Sequence, residues 1–439
     1  MMGDMNPTVL GAARCRVQRV LFCLSAALVC IPVSAQVSYS VRVEMEKPKY
    51  LLGEPIFCRF VIQNIGTTVF AFRYRTPTRG LGTDDEQEPR YQVTDAKGQR
   101  LPDPGPRPCG SPQGAAVYGS VTLPPGQVHS ERWLLNQWAQ FSAPGRYHLR
   151  AERRLALLQP DPQTKRFAEK PAAFAMAIDE LSFQVVKSTP AQIEEVFHPY
   201  LAAVQDSKNP NPAEAVVVLT SMPQPFFLDQ LIKLAVAGKP DRWDRRDVLD
   251  GLARLNTPAS WQAILKLFRE PESAVGAGSK DTASQTENPL RSYALLLLAE
   301  KADPGFVPPL MEMLGKSPDP MRGDILRALG FFHDAQAVQA LFDNLHSAQV
   351  TDRMNAILGL KNLGTREVIP AIVAALNDPE PQVRQVANFA LEGLTGHKVG
   401  ANADPSRDEP ARIASDWHAW WVEHAASFSP PPPAACHDW

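Results

Sequence analysis

The chain has 439 residues, 44% of them hydrophobic and 21% charged, with a formal net charge of -2. That composition excludes a wholly disordered chain, which lacks the apolar residues to form a core, and the near-neutral balance excludes binding of nucleic acid by bulk charge. The length allows roughly two to four domains, and 41 prolines punctuate it into short segments.

Residues 1–35 read as a signal peptide. Arg14, Arg16 and Arg19 make a basic region, residues 20–34 are apolar, and Val33-Ser34-Ala35 supplies the cleavage positions, leaving Gln36 first. The run is shorter than the roughly 20 apolar residues of a permanent span. Cleavage after Ala35 is therefore expected, with an uncleaved anchor as the alternative. The product expected is exported, periplasmic or extracellular, with no integral membrane span. Cys58, Cys109 and Cys436 lie beyond the leader. An oxidising compartment permits a disulfide, for which Cys58 and Cys109 are the candidates because both fall in the next domain; a buried Cys58 with an exposed Cys109 is the alternative.

Residues 36–187 alternate at period two. Val37, Tyr39, Val41, Val43 and Met45 share one face, and Ile56, Cys58, Phe60 and Ile62 share another. Further strands are expected near residues 69–74, 91–94, 116–123, 128–135, 146–151 and 181–186. Short strands with turns at this spacing predict an antiparallel sandwich. The strings YLLGEPIFCRFVIQNIG and FSAPGRYHLRAE resemble bacterial immunoglobulin-like modules of exported proteins. The resemblance implies a Gly-Glu-Pro turn into a core strand, and Tyr147 as the inward anchor of a late strand. Asp84, Asp85, Glu86 and Glu88 lack the Asp-x-Asp-x-Asp-Gly spacing of a calcium loop and read as a solvated acidic loop.

From residue 188 to 397 the period becomes 3.6. Arg291, Arg322, Arg353 and Arg384 recur every 31 residues, and each is followed seven residues later by Leu298, Leu329, Leu360 or Leu391. Arg245 with Leu252 is an earlier copy, set apart by an insertion that lies in residues 271–287, rich in small and polar side chains and expected to be a flexible loop. Self-similarity at such a period predicts an α-solenoid of stacked helix pairs. Gly251, Ala328, Gly359 and Ala390 sit directly before the repeat leucines, where small residues let helices approach closely. The segment DPEPQVRQVANFALEGL resembles the HEAT family, in particular the HEAT-like type named after phycobilisome lyases. The resemblance implies that each arginine braces against acids in neighbouring turns rather than binding a ligand. Residues 190–238 lack the arginine and are expected to form a degenerate capping repeat.

Residues 398–428 are expected to hold a C-terminal capping helix, and residues 429–439 a proline-rich extended tail. Trp417, Trp420 and Trp421 fall near one stripe of that helix. A plug for the end of the solenoid core is the expectation, and an aromatic platform for sugar or peptide the alternative. No phosphate-cradling glycine loop, nucleophile elbow, zinc-protease or dinucleotide motif is present. His418, His424, Cys436 and His437 match no zinc spacing. No catalytic residue, metal or cofactor is assigned. The arginines at 242–246 are interleaved with acids, against nucleic acid as a partner. The sequence thus points to a non-catalytic exported scaffold that binds protein partners. The alternatives are a bilin-lyase-like enzyme, implied by the repeat subtype, or a carbohydrate or cell-wall binder using the tryptophans.

Overall fold

The computed structural model describes residues 38–75, 90–104, 118–158, 160, 167, 171, 173–206, 208–209, 212–236, 245–269, 289–317, 321–399 and 410–429. The leader, the acidic loop at 84–88, Cys109, the 271–287 insertion and residues 430–439 of the tail lie outside them. The chain divides into two compact units, Met1–Gly105 with Gly114–Val196, and Pro106–Gln113 with Phe197–Trp439.

In the first unit the period-two pattern becomes two sheets. β1 (Tyr39–Met45), β3 (Phe57–Asn64) and β7 (Val128–Leu134) form one, antiparallel and in that order. The other runs β2 (Lys49–Leu51), β9 (Ala173–Val186), β8 (Gly145–Leu158), β4 (Phe70–Arg75), β6 (Tyr118–Leu123), with β5 (Arg90–Thr94) also paired to β8. Inward residues of both sheets, including Val43, Phe60, Phe72, Leu149 and Phe183, meet in one buried cluster. The Gly-Glu-Pro turn is held from both sides: Ile56 N–H donates to Asn136 Oδ1 at 2.7 Å, and Lys47 Nζ reaches the buried Glu54 at 3.1 Å. Tyr147 is buried, and its hydroxyl donates to Ala143 O at 2.6 Å. Cys58 lies wholly inside the cluster, where burial pushes its thiol up; its candidate partner Cys109 is outside the described residues.

Two features differ from the sequence expectation. β2 pairs parallel to β9, so the pairing is not antiparallel throughout. The β8–β9 hairpin is also longer, with pairs running from Gly145↔Val185 to Leu157↔Ala173. Arg153 hid this extension, because a charge occupies an inward position of β8. It is 1% exposed and is compensated: Nη1 donates to Glu131 Oε2 at 2.7 Å, and the guanidinium sits 5.8 Å from the Phe72 ring. His129 Nε2 lies 3.0 Å from Glu131 Oε1. Burial alone would raise the Glu131 carboxyl, but the His129 hydrogen bond and the Arg153 charge hold it below its ordinary value.

The second unit is helical. The unit division falls within α1 (Pro190–Gln205). α2 (Ala213–Ser221) and α3 (Leu228–Val236) follow, the stretch without repeat arginines. α4 (Arg245–Leu255), α6 (Pro289–Lys301), α8 (Met321–Leu329), α10 (Val350–Leu363) and α12 (Pro381–Thr395) carry the arginine–leucine ladder. They alternate with α5 (Pro258–Arg269), α7 (Val307–Lys316), α9 (Ala335–Asn344) and α11 (Ile369–Ala375), and α13 (Pro410–His424) comes last. Leu252, Leu298, Leu329, Leu360 and Leu391 are all 0% exposed, so the heptad step from each arginine reaches the core. Helix ends are locally encoded. The Asp334 side chain accepts from Gln336 and Ala337 N–H at the start of α9. Gly364 and Gly396, at φ of 64° and 69°, end α10 and α12 in the left-handed conformation. Among the described residues no helix is long and apolar enough to cross a membrane.

The small residues mark real close approaches. A Cβ on Gly359 would lie 2.5 Å from Leu341 Cδ2 and 2.6 Å from Leu326 O, and one on Gly330 would lie 2.0 Å from Gly359 O. A Cβ on Gly315, in α7, meets nothing within 4 Å. Gly330→Ala should therefore destabilise by about 1–3 kcal/mol through overpacking, while Gly315→Ala should stabilise by up to about 1 kcal/mol. Chemical denaturation followed by helical circular dichroism separates them, and equal effects would refute the packing. For the first unit, Glu131→Gln should destabilise by about 3–5 kcal/mol near neutrality by removing the carboxylate charge that faces the buried Arg153. A depressed carboxyl stabilises above its unfolded pKa of about 4.3 and loses that contribution as pH falls through the folded value. Acid titration of the β signal should show this step in the wild type and not in the variant.

Candidate functional site

The ladder arginines begin the ladder helices, and the chain has just left the end of another helix. The last carbonyls of any helix lack intrahelical donors. Arg245 Nε donates to Ala235 O at 2.8 Å, at the end of α3, and Arg291 Nε to Phe268 O at 2.7 Å, at the end of α5. Arg322 Nη1 donates to Leu314 O in the last turn of α7. Arg353 Nη1 reaches Ser347 O at 2.9 Å beyond α9, and Arg384 Nη1 reaches Asp378 O at 2.8 Å beyond α11.

The remaining guanidinium donors tie a repeat to its successor. Arg322 Nε donates to Asp352 Oδ2 at 2.8 Å, and its Nη2 to Asn344 Oδ1 at 2.8 Å. Arg353 grips Asp378 with two parallel bonds of 2.7 and 2.9 Å, a fork-to-fork geometry that fixes orientation as well as charge. Burial alone would raise the Asp378 carboxyl, but the Arg353 hydrogen bond holds it below its ordinary value. The same bond raises the Arg353 guanidinium.

Earlier steps add hydroxyl donors to buried acids, and Asp324 also pairs with Arg327. Tyr293 Oη donates to Asp250 Oδ1 at 2.5 Å, linking α6 to α4, and Ser292 Oγ donates to Asp324 Oδ2 at 3.0 Å, linking α6 to α8. Asp250, Asp324 and Asp352 are 6%, 9% and 2% exposed, and burial with the Asp250 charge pushes the Tyr293 hydroxyl up. The sequence reading named the arginines but not Asp250, Asp324, Asp352 or Tyr293. The sequence does not set these acids apart from solvated helix acids, because it does not display the partner that holds each one.

At the far end, Trp417 is 0% exposed and its indole N–H donates to Asn388 Oδ1 at 2.7 Å, joining α13 to α12. Trp420 is half-buried and stacks with two imidazoles: His397 lies 4.8 Å away at 8°, and His424 4.7 Å away at 13°. Trp421 packs edge-on to Phe428 at 5.5 Å. A sugar platform needs open indole faces. Trp417 offers none, and Trp420 is already stacked with two imidazoles. Among the described residues no three His, Cys, Asp or Glu side chains converge as a metal site.

Residues 352–378 match the PBS lyase HEAT-like repeat family model. The match runs from the acid held by Arg322 to the acid held by Arg353, one step of the helical ladder. No curated protein matches the chain. One similar solved structure is the complex of CpcE and CpcF of phycocyanin lyase from Nostoc sp. PCC7120, at 16% identity and a TM-score of 0.26, covering 52% of this chain and 82% of that one. The sporulation control protein Spo0M from Bacillus subtilis shares 15% identity at a TM-score of 0.18, covering 38% of this chain and 54% of that one. An engineered protein shares 17% identity at a TM-score of 0.28, covering 54% and 65%.

The brace makes a measurable prediction. In a double-mutant cycle, Arg353→Ala and Asp378→Ala should couple by about 1–3 kcal/mol near neutral pH. The coupling should vanish as pH falls below the ordinary aspartate range of about 4, because the carboxyl is depressed in the folded protein. Unchanged melting of Arg353→Ala would show instead that the guanidinium is not a brace.

Proposed function

We propose that this protein is a non-catalytic exported scaffold, in which the HEAT-like solenoid and an immunoglobulin-like β unit each present surface to a protein partner. The observation that carries the reading is the use made of the ladder. Its guanidinium groups and carboxylates bond to neighbouring helix ends and to one another, which is how a rigid array is built. Stacked repeats of this kind form extended binding surfaces. The immunoglobulin-like reading is supported by the core shared between two sheets, and by the Tyr147 hydroxyl that returns to the backbone a few residues upstream. Export rests on the composition of residues 1–35.

The lyase reading rests on the name of the matched repeat. Within the matched residues, Arg353 and Asp378 bond to each other, Asp352 accepts from Arg322, and Leu360 is in the core. The carbohydrate reading lacks support from Trp417 and Trp420, for the reasons of burial and stacking above. The scaffold reading therefore places the partner surface on outward positions of the intervening helices, such as Gln336 and Gln339 of α9.

Photocrosslinking side chains placed at Gln336 and Gln339, in cells exporting the protein, should each trap the same protein partner. Trapping by neither position, nor by exposed Glu180 of the first unit, would remove the proposal. Incubation with a free bilin should give no coloured covalent adduct, and such an adduct would favour the lyase instead.

A further inference from the structure

We infer that one water molecule is bound inside the β unit, where it accepts a hydrogen bond from the Tyr91 hydroxyl and donates one to the Glu131 carboxylate. Tyr91 is an inward residue of β5, opposite Ala151 of β8, and it is 4% exposed. Its hydroxyl is enclosed and meets no protein hydrogen-bond partner. An enclosed donor without an acceptor gives up its hydration and gains nothing in return. Buried polar groups are normally satisfied by protein or by ordered water.

The side chains at this corner of the sandwich come from both sheets. Arg153 lies two residues beyond Ala151 in β8, so it faces the same side as Tyr91. On β7, Trp133 lies opposite the buried Cys58, and Glu131, two residues earlier, shares its inward face. The Tyr91 hydroxyl feels these groups. Burial pushes it up most, Cys58 and Glu131 add to the rise, and Arg153 opposes it.

Donors outnumber acceptors here. Trp133 Nε1 is a second enclosed donor that meets no protein partner, and an indole N–H cannot accept. Glu131 Oε1 lies 3.0 Å from His129 Nε2, and Oε2 accepts from Arg153 Nη1 at 2.7 Å. A carboxylate has about four lone-pair sites, so Glu131 keeps room for a further donor. One water meets both demands: it accepts from Tyr91 and Trp133, and it donates to Glu131. Buried waters typically make about three such bonds.

The packing favours water over a larger acceptor. The Tyr91 ring centroid lies 6.1 Å from that of Trp133 and 5.4 Å from that of Trp138, within the roughly 4.5–7 Å of aromatic rings in contact. Rings that touch leave no gap for an organic ligand between them. Tyr39 supplies the contrast. It is 3% exposed, packs on Phe70 with centroids 6.2 Å apart, and its hydroxyl also meets no protein partner. Burial alone pushes that hydroxyl up, to about 12. A water there would lack the further polar partners that hold one in place.

A high-resolution crystal structure of the full chain should show an ordered water within hydrogen-bonding distance of both Tyr91 Oη and the Glu131 carboxylate, and none at Tyr39 Oη. Stability gives an independent readout, with ring volume kept. Tyr91→Phe should lower the melting temperature of the β signal by about 2–4 °C, because the water loses a donor. Tyr39→Phe should leave it unchanged or raise it, because an unmet donor is removed. A crystal structure in which the Tyr91 hydroxyl bonds to a protein atom, or has no water beside it, overturns the inference. So does a melting temperature that holds or rises in Tyr91→Phe. An equal loss in Tyr39→Phe also overturns it, since the effect would then come from packing rather than from the water.

Discussion

The helical unit depends on one guanidinium doing two things at once. A helix ends with carbonyls that need donors, and the next repeat offers an aspartate, Asp352 in α10 or Asp378 just before α12. Arg322 and Arg353 each satisfy both, donating backward to a carbonyl and forward to an acid. Only arginine has enough donors in a fixed fork for this; a lysine is a point charge on a flexible stem. The same geometry explains why an insertion is tolerated where it occurs. Arg291 binds a carbonyl 23 residues earlier, whereas Arg353 and Arg384 bind carbonyls 6 residues earlier. The extra residues lie between the helix end and the arginine. The brace closes across them, and the next repeat starts in register.

The β unit buries a charge as well, with the opposite economy. Where the solenoid repeats a part-buried pair, the sheets bury Arg153 against Glu131, reaching from β8 to β7. β7 belongs to one sheet and β8 to the other. The pair therefore fixes how the two sheets register against each other, which apolar contacts alone specify weakly. Asp179, accepting from Val43 N–H, ties β9 to β1 across the sheets as well.

Much of this was legible in the sequence, and the reasons are physical. Periodicity of 31 places Leu252, Leu298, Leu329, Leu360 and Leu391 in the core because a seven-residue step returns to the same helical face. Gly330 and Gly359 are legible as close approaches only in part: the register before each leucine flags Gly359, while Gly330 lies one position after its leucine. What stayed hidden was the buried polar half of each interaction. Asp352 and Asp324 look like solvated helix acids, and Arg153 looks like a strand terminator, because a sequence displays a charge without the partner that neutralises it. β2 escaped notice because it has three residues and takes its partner from the other end of the unit. The tryptophans of α13 share one stripe with a platform and a plug alike; burial and the two imidazoles around Trp420 distinguish them.

The bond from Val43 to Asp179 also has a temporal meaning. Its two ends are 136 residues apart, and β3 pairs with β7 across the span from Phe57 to Leu134. During synthesis from the N-terminus, β1 and β3 emerge with alternating apolar faces and must wait for most of the unit before their core exists. The solenoid has no such delay, because each repeat docks on the one just made. Contacts of long sequence separation are the slow ones to form. The vulnerable interval in the life of this chain is therefore its first half, and a helper that holds nascent strands apart would act there rather than on the helices.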